Sequence, residues 1–302
     1  MRKYFTLLVA AALLVAGCGN QNSSAMKPVD KNASPDVMVR NAVETRANLS
    51  SIAGKGVMRI VDKPNNFGLT VNADVVADKA ERLRIRADKL AGAIQAFDVV
   101  MLGDDIGFYI PTQKTLYHGK VADLQNFSFR FDPDDVLQQM LRPETALLLK
   151  KWRMADPMQG DPRGAVMLEE IAPPNRPHLR IAINQSSGMI VSISQMDHRG
   201  DPVMIKRFDD YRNLNRGRNT PRGATEPVFP YLIAFSWPRD NRSMEMHFKQ
   251  VEGDAVVLDE DFDIAASSDT RYLPLVNAQM DADFSDEPLA QADRSAPAGR
   301  AL

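Results

Sequence analysis

The stretch FGLTVNADVVA, residues 67–77, decides the fold class because its apolar and polar residues alternate. Thr70, Asn72 and Asp74 stand between apolar side chains that occupy every second position. Successive side chains of a β-strand point to opposite faces, so this pattern predicts a strand with one buried face. The apolar set is Phe67, Leu69, Val71, Ala73, Val75 and Ala77.

Similar stretches lie on both sides, separated by short breaks with turn chemistry such as Gly103-Asp104 and Ser186-Ser187-Gly188. Connections this short join antiparallel neighbours, so the chain is predicted to fold as an antiparallel meander. The predicted strands are residues 52–60, 67–77, 82–87, 97–101, 106–110, 116–119, 164–170, 178–184, 189–196, 202–208, 229–237, 243–251 and 254–258.

Three helices are predicted beside these strands. Ser34-Pro35 provides a cap and a first-turn proline for an N-terminal helix, and its apolar stripe is Met38, Val39, Ala42, Val43, Ala47 and Leu49. Asp132-Pro133 begins a second helix, and its stripe is Val136, Leu137, Met140 and Leu141. Pro143 ends that helix and begins another through Leu147–Leu149. The fold class is therefore mainly β with a helical lid (α+β).

Arg46 lies in the middle of the first helix's stripe and has two interpretations. Its stem packs while its head reaches water, or it is a latch that donates hydrogen bonds to backbone carbonyls beneath the helix.

The N-terminus has the features of an export signal. Arg2 and Lys3 precede an uncharged run, Tyr4 to Ala16, that is too short to span a bilayer. The run ends in Val15-Ala16-Gly17-Cys18, which resembles the bacterial lipobox. That resemblance implies lipid attachment at Cys18 and cleavage after Gly17; the alternative is an ordinary secretory signal with a chance cysteine. The residue after the cysteine also bears on location: an aspartate there would favour retention in the inner membrane, whereas Gly19 favours the outer membrane.

The chain is predicted to divide into four parts. Residues 1–17 form the lipoprotein signal peptide, and 18–33 form the lipid anchor and a polar, flexible tether. Residues 34–275 form one domain, and 276–302 form a disordered tail rich in Ala, Asp, Ser and Pro.

Composition excludes several classes of function. The formal net charge is −2, without the basic excess that nucleic-acid binding requires. One cysteine and four isolated histidines predict no disulfide framework and no metal site, and no cofactor motif is present. No nucleophile elbow or zinc-protease motif occurs, so no catalytic residue is assigned and the protein is predicted not to be an enzyme.

Two charged clusters and the methionines leave alternatives open. Arg82, Arg84 and Arg86 share one strand face, which either faces water or meets anionic headgroups. The acidic run at 259–263 either binds calcium weakly or forms a solvated loop. The fifteen methionines either fill an ordinary core or line a surface that adapts to variable apolar ligands.

Two stretches carry a family resemblance. The first is GFYIPTQKTLYHG, residues 107–119; the second combines Leu179–Ile183, Gly188–Ile190, Asp197–Gly200 and Phe208-Asp209-Asp210-Tyr211. Together with the lipobox and the order of elements, they resemble the LolA/LolB-like superfamily of outer-membrane lipoprotein localisation, over about residues 34–264.

The resemblance implies an unclosed, strongly curved antiparallel β-barrel, capped by the N-terminal helix and the central helical pair, that holds acyl chains in its apolar concavity. Strict alternation predicts which residues face that concavity. They are Phe67, Leu69, Val71, Leu83, Ile85, Phe97, Val99, Phe108, Ile110, Tyr231, Ile233, Phe235, Met244, Met246 and Phe248, with the lid residues Val136, Leu137, Met140 and Leu141 above them.

The first functional hypothesis is a lipid-anchored envelope protein that binds lipid or an acylated lipoprotein. In this hypothesis the protein binds the membrane through acyl chains on Cys18. The second is a non-catalytic envelope scaffold that binds another envelope protein, and the third is a hydrolase without a recognisable motif.

Overall fold

The computed structural model describes residues 26–45, 49–89, 92–126, 141, 145–216 and 228–275. Within them lie one α-helix, α1 (Pro35–Thr45), and fifteen strands in one sheet. The strands are β1 (Ser51–Asp62), β2 (Phe67–Asp78), β3 (Arg82–Lys89), β4 (Ile94–Leu102), β5 (Asp105–Ile110), β6 (Thr115–Lys120), β7 (Trp152–Met154), β8 (Ala165–Glu170), β9 (His178–Asn184), β10 (Ile190–Met196), β11 (Pro202–Asn213), β12 (Asn215–Arg216), β13 (Val228–Trp237), β14 (Arg242–Gly253) and β15 (Arg271–Pro274).

Two antiparallel meanders make up the sheet. One runs from β1 to β6 and the other from β7 to β14, and they join where β14 pairs with β1. The order across the sheet is β15-β6-β5-β4-β3-β2-β1-β14-β13-β11-β10-β9-β8-β7, with β12 pairing beside β14. The two ends of this path do not pair with each other, so the barrel is unclosed.

The join between the meanders depends on a glycine. The β1–β14 register shifts between Lys55 and Gly56. A Cβ at Gly56 would lie 2.2 Å from the carbonyl oxygen of His247. Only glycine allows the two backbones to approach this closely at the bulge.

Helix α1 begins where the sequence predicts, at Pro35, and buries Met38, Val39, Ala42 and Val43. The amides of Val37 and Met38 both donate to the carbonyl of Ser34. Of the remaining residues of the predicted stripe, Ala47 lies outside the described residues, and Leu49 is buried.

The predicted flexible tether is shorter than expected at its C-terminal end. The amide of Val29 donates to the carbonyl of Gln185 at 2.9 Å, and Val29 and Ala33 pack against the core. These contacts fix residues that the polar composition had assigned to a linker.

The architecture confirms the predicted fold class and most of its strands. The predicted strand at 254–258 is wrong, because that segment leaves β14 without pairing. The sequence also misses β7, β12 and β15, which have two to four residues each. The predicted third helix is a short 3-10 helix, Thr145–Leu149, and the predicted second helix lies outside the described residues except for Leu141.

Candidate functional site

The inner face of the sheet is continuous because its strands are in register. Ile85, Val99, Phe108 and Tyr117 stand directly opposite one another on β3, β4, β5 and β6. Side chains in directly opposite positions share one face and contact each other. The first meander therefore presents rows of apolar side chains rather than isolated ones.

A second row crosses the join between the two meanders. Phe208 on β11 stands opposite Ile233 on β13, which stands opposite Met246 on β14. Met246 in turn stands opposite Met58 on β1, and Met58 opposite Val71 on β2. One apolar surface thus extends across both meanders.

Aromatic rings contact each other on this surface. Phe97 and Phe108 contact with ring centroids 5.7 Å apart, and Phe229 and Phe248 meet edge to face at the same distance. Gly54 makes room for Phe248, because a Cβ there would lie 2.8 Å from the ring. The packing at this join is therefore specific.

All fifteen residues predicted to face the concavity are less than 10% exposed. They belong to one hydrophobic core cluster that also includes α1. The structure therefore brings them together on one buried face, in agreement with the predicted alternation. In this conformation the face is closed, and its role in ligand binding stays a prediction.

The predicted lid and latch are mostly untested. Leu141 is buried, and its carbonyl accepts the amide of Leu49 at 3.1 Å. The other lid residues Val136, Leu137 and Met140, the latch Arg46 and the anchor Cys18 all lie outside the described residues.

The inner face is larger than the sequence predicts. Strands β8, β9 and β10 contribute Leu168, Ile181, Ile183 and Ile193 to the same core. The apolar residues of these three strands are the signal for their burial, although the predicted face includes only the first meander and the β13–β14 pair. The second meander therefore contributes more to the candidate site than predicted.

A C-terminal segment crosses the outer face of the first meander; we call residues 254–275 the strap. It begins where Asp254 N–H donates to the carbonyl of Ser51 and Ser51 Oγ donates to the carbonyl of Ala255 at 2.6 Å. It ends in β15, which pairs in parallel with β6 and adds a strand to that edge of the sheet.

The strap explains what the three arginines on the outer face of β3, Arg82, Arg84 and Arg86, contact. Arg82 donates to Asp259 at 2.6 Å and to Asp78, and its guanidinium lies 4.5 Å from the centre of the Phe262 ring. Hydrogen bonding to Asp78 and Asp259 raises the Arg82 pKa. Arg82 therefore does not simply face water, the first of the two alternatives, because the strap covers its side chain.

Arg84 is paired within the sheet as well as with the strap. It donates to both oxygens of Asp98, at 2.9 and 2.7 Å, and to the carbonyl of Asp261 at 3.0 Å. The hydrogen bond to Asp98 raises the Arg84 pKa. Arg86, the third of the row, is half exposed and lies 3.7 Å from Asp88. Each arginine thus already has an acidic neighbour.

A surface ion pair fastens the far end of the strap. Lys114 Nζ lies 2.5 Å from Asp269, and Ser267 Oγ donates to the same carboxylate at 2.7 Å. Hydrogen bonding from Lys114 is the main cause that lowers the Asp269 pKa to about 2.

The polar clusters of the described residues make ion pairs and hydrogen bonds within the fold. No group of three or more His, Cys, Asp or Glu side chains there is arranged to hold a metal ion. In the acidic run, Asp259 pairs with Arg82 and Asp261 accepts the amide of Leu258 at 2.8 Å. Of the four histidines, only His178 is half-buried, 3.0 Å from Glu169.

The second resembling stretch has a structural explanation. Phe208 is buried in the core opposite Ile233, and the β11–β13 register is the same on both sides of Asp210, which adopts a positive φ of 52°. Three residues after Phe208, Tyr211 Oη donates to the carbonyl of Ile190 at 2.5 Å. The first aromatic residue therefore packs in the core and the second ties β11 to β10.

Comparison with solved structures finds chains of similar fold. The chain is similar to a DUF1329 family protein from Desulfovibrio piger, with a TM-score of 0.52 at 12% identity over 78% of this chain and 99% of that one. It is also similar to an outer membrane lipoprotein-sorting protein domain from Vibrio parahaemolyticus (TM-score 0.49, 9% identity, 76% and 95% covered). A LolA superfamily protein from Nitrosomonas europaea gives a TM-score of 0.46 at 13% identity, with 77% and 98% covered.

These likenesses concern the fold and carry no assignment of activity. No protein-family model matches the chain. No curated protein matches it in sequence. Among the described helices, none is both long and apolar enough to cross a membrane.

Proposed function

We propose that this protein is a lipid-anchored protein of the bacterial cell envelope that binds lipid, or the acyl chains of a lipoprotein, against the inner face of its sheet. The observation that carries the proposal is the continuous apolar row from Phe208 through Met246 to Val71. An acyl chain gains about 0.8 kcal/mol for each methylene it buries, so a long chain could offset the opening of part of this core.

The composition of the inner face suits a ligand of variable shape. Met58 on β1 lies opposite Met246 on β14, and Met244, also on β14, lies opposite Ile60. Methionine side chains are unbranched and polarisable, so they repack at low cost around different chains. An unclosed sheet also spreads without breaking a strand pair, because its two ends are not hydrogen-bonded to each other.

The anchor in this proposal is Cys18, and the protein faces the periplasm from the outer membrane, as Gly19 favours. The supporting features are the lipobox Val15-Ala16-Gly17-Cys18 and the apolar run before it. Three acyl chains on one cysteine would hold the protein on the membrane durably, whereas one chain binds only marginally.

Metabolic labelling with a fatty acid tests the anchor. Cys18→Ala should abolish both the label and the shortening of the chain that accompanies signal removal. Label retained on the variant would contradict the anchor, and the unchanged chain provides the positive control.

Photo-crosslinking with a diazirine fatty acid tests the ligand site. The chain lacking residues 1–17 and carrying Cys18→Ala keeps every described element, because these begin at Met26. Crosslinks should fall on inward-facing Phe235, Met244 and Met246. Outward-facing Glu245 and His247 on the same strand are the matched internal control. Crosslinks confined to outward positions would contradict acyl binding on the inner face.

One observation favours a second candidate, an envelope scaffold without a lipid ligand. The inner face is buried to less than 10% exposure at every predicted position, as an ordinary core would be. In that case the sheet is a rigid support and a protein partner binds elsewhere on its surface. Neither candidate assigns a catalytic role to any residue.

A further inference from the structure

Strand β11 places a lysine on the inner face of the sheet. Lys206 stands two residues before Phe208 on this strand, so both side chains point to the same side of the sheet. Phe208 belongs to the apolar core, and Lys206 is only 7% exposed. The inner face therefore contains a buried cation that its apolar character does not explain.

Pairing on both sides of β11 supports this placement. Lys206 stands opposite Ile193 on β10 and Phe235 on β13. These two neighbours continue as a row of buried apolar side chains across β9, β14 and β1. The further members of the row are Ile181, Met244 and Ile60. Lys206 is thus the charged member of an otherwise apolar row that crosses the join between the two meanders.

This position is costly for a lysine. Lysine is rarely buried without a partner, because an ammonium group loses its hydration when it enters an apolar environment. Arg207, the next residue on the strand, faces outward and is exposed, as is usual for a cation on a sheet. Lys206 already interacts with another group of the protein in the closed conformation, so an anionic ligand would share or replace that contact.

A second cation on the inner face differs from Lys206 in its neighbours. Arg242 stands two residues before Met244 on β14, opposite Trp237 on β13 and Asp62 on β1. Its Nε lies 3.1 Å from the carboxylate of Asp62, which is buried. The sheet itself therefore supplies an acid opposite Arg242, whereas the positions opposite Lys206 are both apolar.

We propose that Lys206 binds the anionic end of an amphiphile whose acyl chain lies along the inner face. An ammonium group forms strong, charge-assisted hydrogen bonds with a carboxylate or a phosphate. The apolar row on either side of Lys206 provides the surface for the chain. The proposal rests on the proposed acyl binding and deepens it by naming the class of ligand.

That class is narrower than acyl chains in general. A fatty acid ends in a carboxylate, and a phospholipid carries a phosphate next to its chains. The acylated cysteine of a lipoprotein carries its chains on esters and an amide, which are uncharged. A ligand contact at Lys206 therefore favours a fatty acid or a phospholipid over an acylated lipoprotein.

Three ligands with one chain length test the proposal. Dodecanoic acid, dodecyl phosphate and dodecanol compete with the uncharged probe N-phenyl-1-naphthylamine for the chain lacking residues 1–17 and carrying Cys18→Ala. At pH 8 the carboxylic acid is ionised. At least one of the two anions should bind about tenfold or more tightly than the alcohol, as expected for a charge-assisted hydrogen bond. Preference for the carboxylate would indicate a fatty acid, and preference for the phosphate a phospholipid.

Matched variants assign this preference to one side chain. Lys206→Met keeps an apolar stem of similar length and removes the charge, so it should abolish the preference for anions and leave dodecanol binding unchanged. Lys206→Arg keeps the charge and should retain the preference. Arg207→Met removes the neighbouring, outward-facing cation and should change neither.

Three results would overturn the proposal. They are equal affinity of the three ligands for the chain with Lys206 intact, a preference for anions that Lys206→Met retains, and the same loss of preference on Arg207→Met. The first requires no variant, so it decides the question even if Lys206→Met does not fold. Failure of all three ligands to bind, dodecanol included, would contradict acyl binding itself, so the two proposals fail in distinguishable ways.

Discussion

The centre of the sheet and its strap-covered flank share one inner face but differ on the outside. In the centre, outward-facing Lys55 on β1 and His247 on β14 are exposed. In the flank, outward-facing Asp98 and Val100 on β4 and Tyr109 on β5 are buried. The strap with Phe262 accounts for the difference, since it crosses this part of the outer face.

One sheet thus combines strands with one buried face and strands with two. A strand that is covered on both sides loses the alternation of an amphipathic strand. β4 is buried at every position from Ala96 to Met101. We therefore expect the flank to be the stabilised part of the sheet and the centre to be more easily rearranged.

The largest difference between the two regions should come from their outward-facing acids. Asp98→Ala should destabilise the protein by about 3–5 kcal/mol, because it leaves Arg84 without its buried partner. The side chain of Asp98 is 1% exposed and that of Arg84 is 17% exposed. Urea unfolding measures the change.

The matched control for this prediction lies in the centre. Glu245 on β14 also faces outward, next to His247, with 38% of its side chain exposed. Glu245→Ala should change the free energy of unfolding by at most about 1 kcal/mol, as is usual for exposed pairs. Equal effects of the two variants would remove the distinction between flank and centre.

A smaller effect is expected within the strap itself. Phe262 is buried beneath Arg82, whereas Leu258, four residues earlier, is half exposed. Phe262→Ala should cost about 3 kcal/mol, at the low end for a buried phenylalanine, and Leu258→Ala much less. Amide hydrogen exchange should also accelerate in β4 but not in β14. Unchanged exchange in β4 would mean that the strap does not protect the flank.

The smallest effect concerns pH. The Asp269 pKa is lowered from its usual 3.8 to about 2 by Lys114, so the pair stabilises the fold above about pH 4. That contribution is lost as the pH falls through about 2, where the carboxylate becomes protonated in the folded state too. Asp269→Asn should therefore lower stability at pH 5, and its difference from the unchanged chain should shrink as the pH falls towards 2. A difference as large at pH 2 as at pH 5 would contradict the ion pair as its cause.

The sequence was sufficient for the fold wherever a strand has one buried face. β2 and β14 alternate over their length, and both were predicted within a few residues of their bounds. The inner face followed from the same alternation, so residues such as Ile85 and Met246 could be assigned to it. That they bind a ligand came only from the family resemblance, since a core and a binding face have the same pattern.

The strap could not be predicted because its contacts are distant in sequence and mostly polar. Asp259 pairs with Arg82 across 177 residues, and no local pattern connects them. One signal was available: the near-continuous apolar run Ala96–Met101 indicates a strand covered on both faces. It shows that a cover exists but does not identify the segment that provides it.

Turn chemistry shows a second limit. The β5–β6 and β13–β14 hairpins both turn through a proline 3-10 helix and a residue in the left-handed region, Lys114 (φ 49°) and Asn241 (φ 50°). Asparagine tolerates this conformation, whereas lysine rarely adopts it. The sequence therefore does not indicate that the turn at Lys114 has the same conformation as the turn at Asn241. The ion pair with Asp269 helps to hold Lys114 in that conformation.

Native mass spectrometry of the chain expressed in bacteria without residues 1–17, and with Cys18→Ala, tests the central claim most directly. If the inner face binds acyl chains, the gently purified protein should carry an additional mass equal to a phospholipid or acylated peptide, and solvent extraction should release it. The same protein without any bound lipid, under conditions that retain lipid on a known lipid carrier, would contradict acyl binding and favour the scaffold.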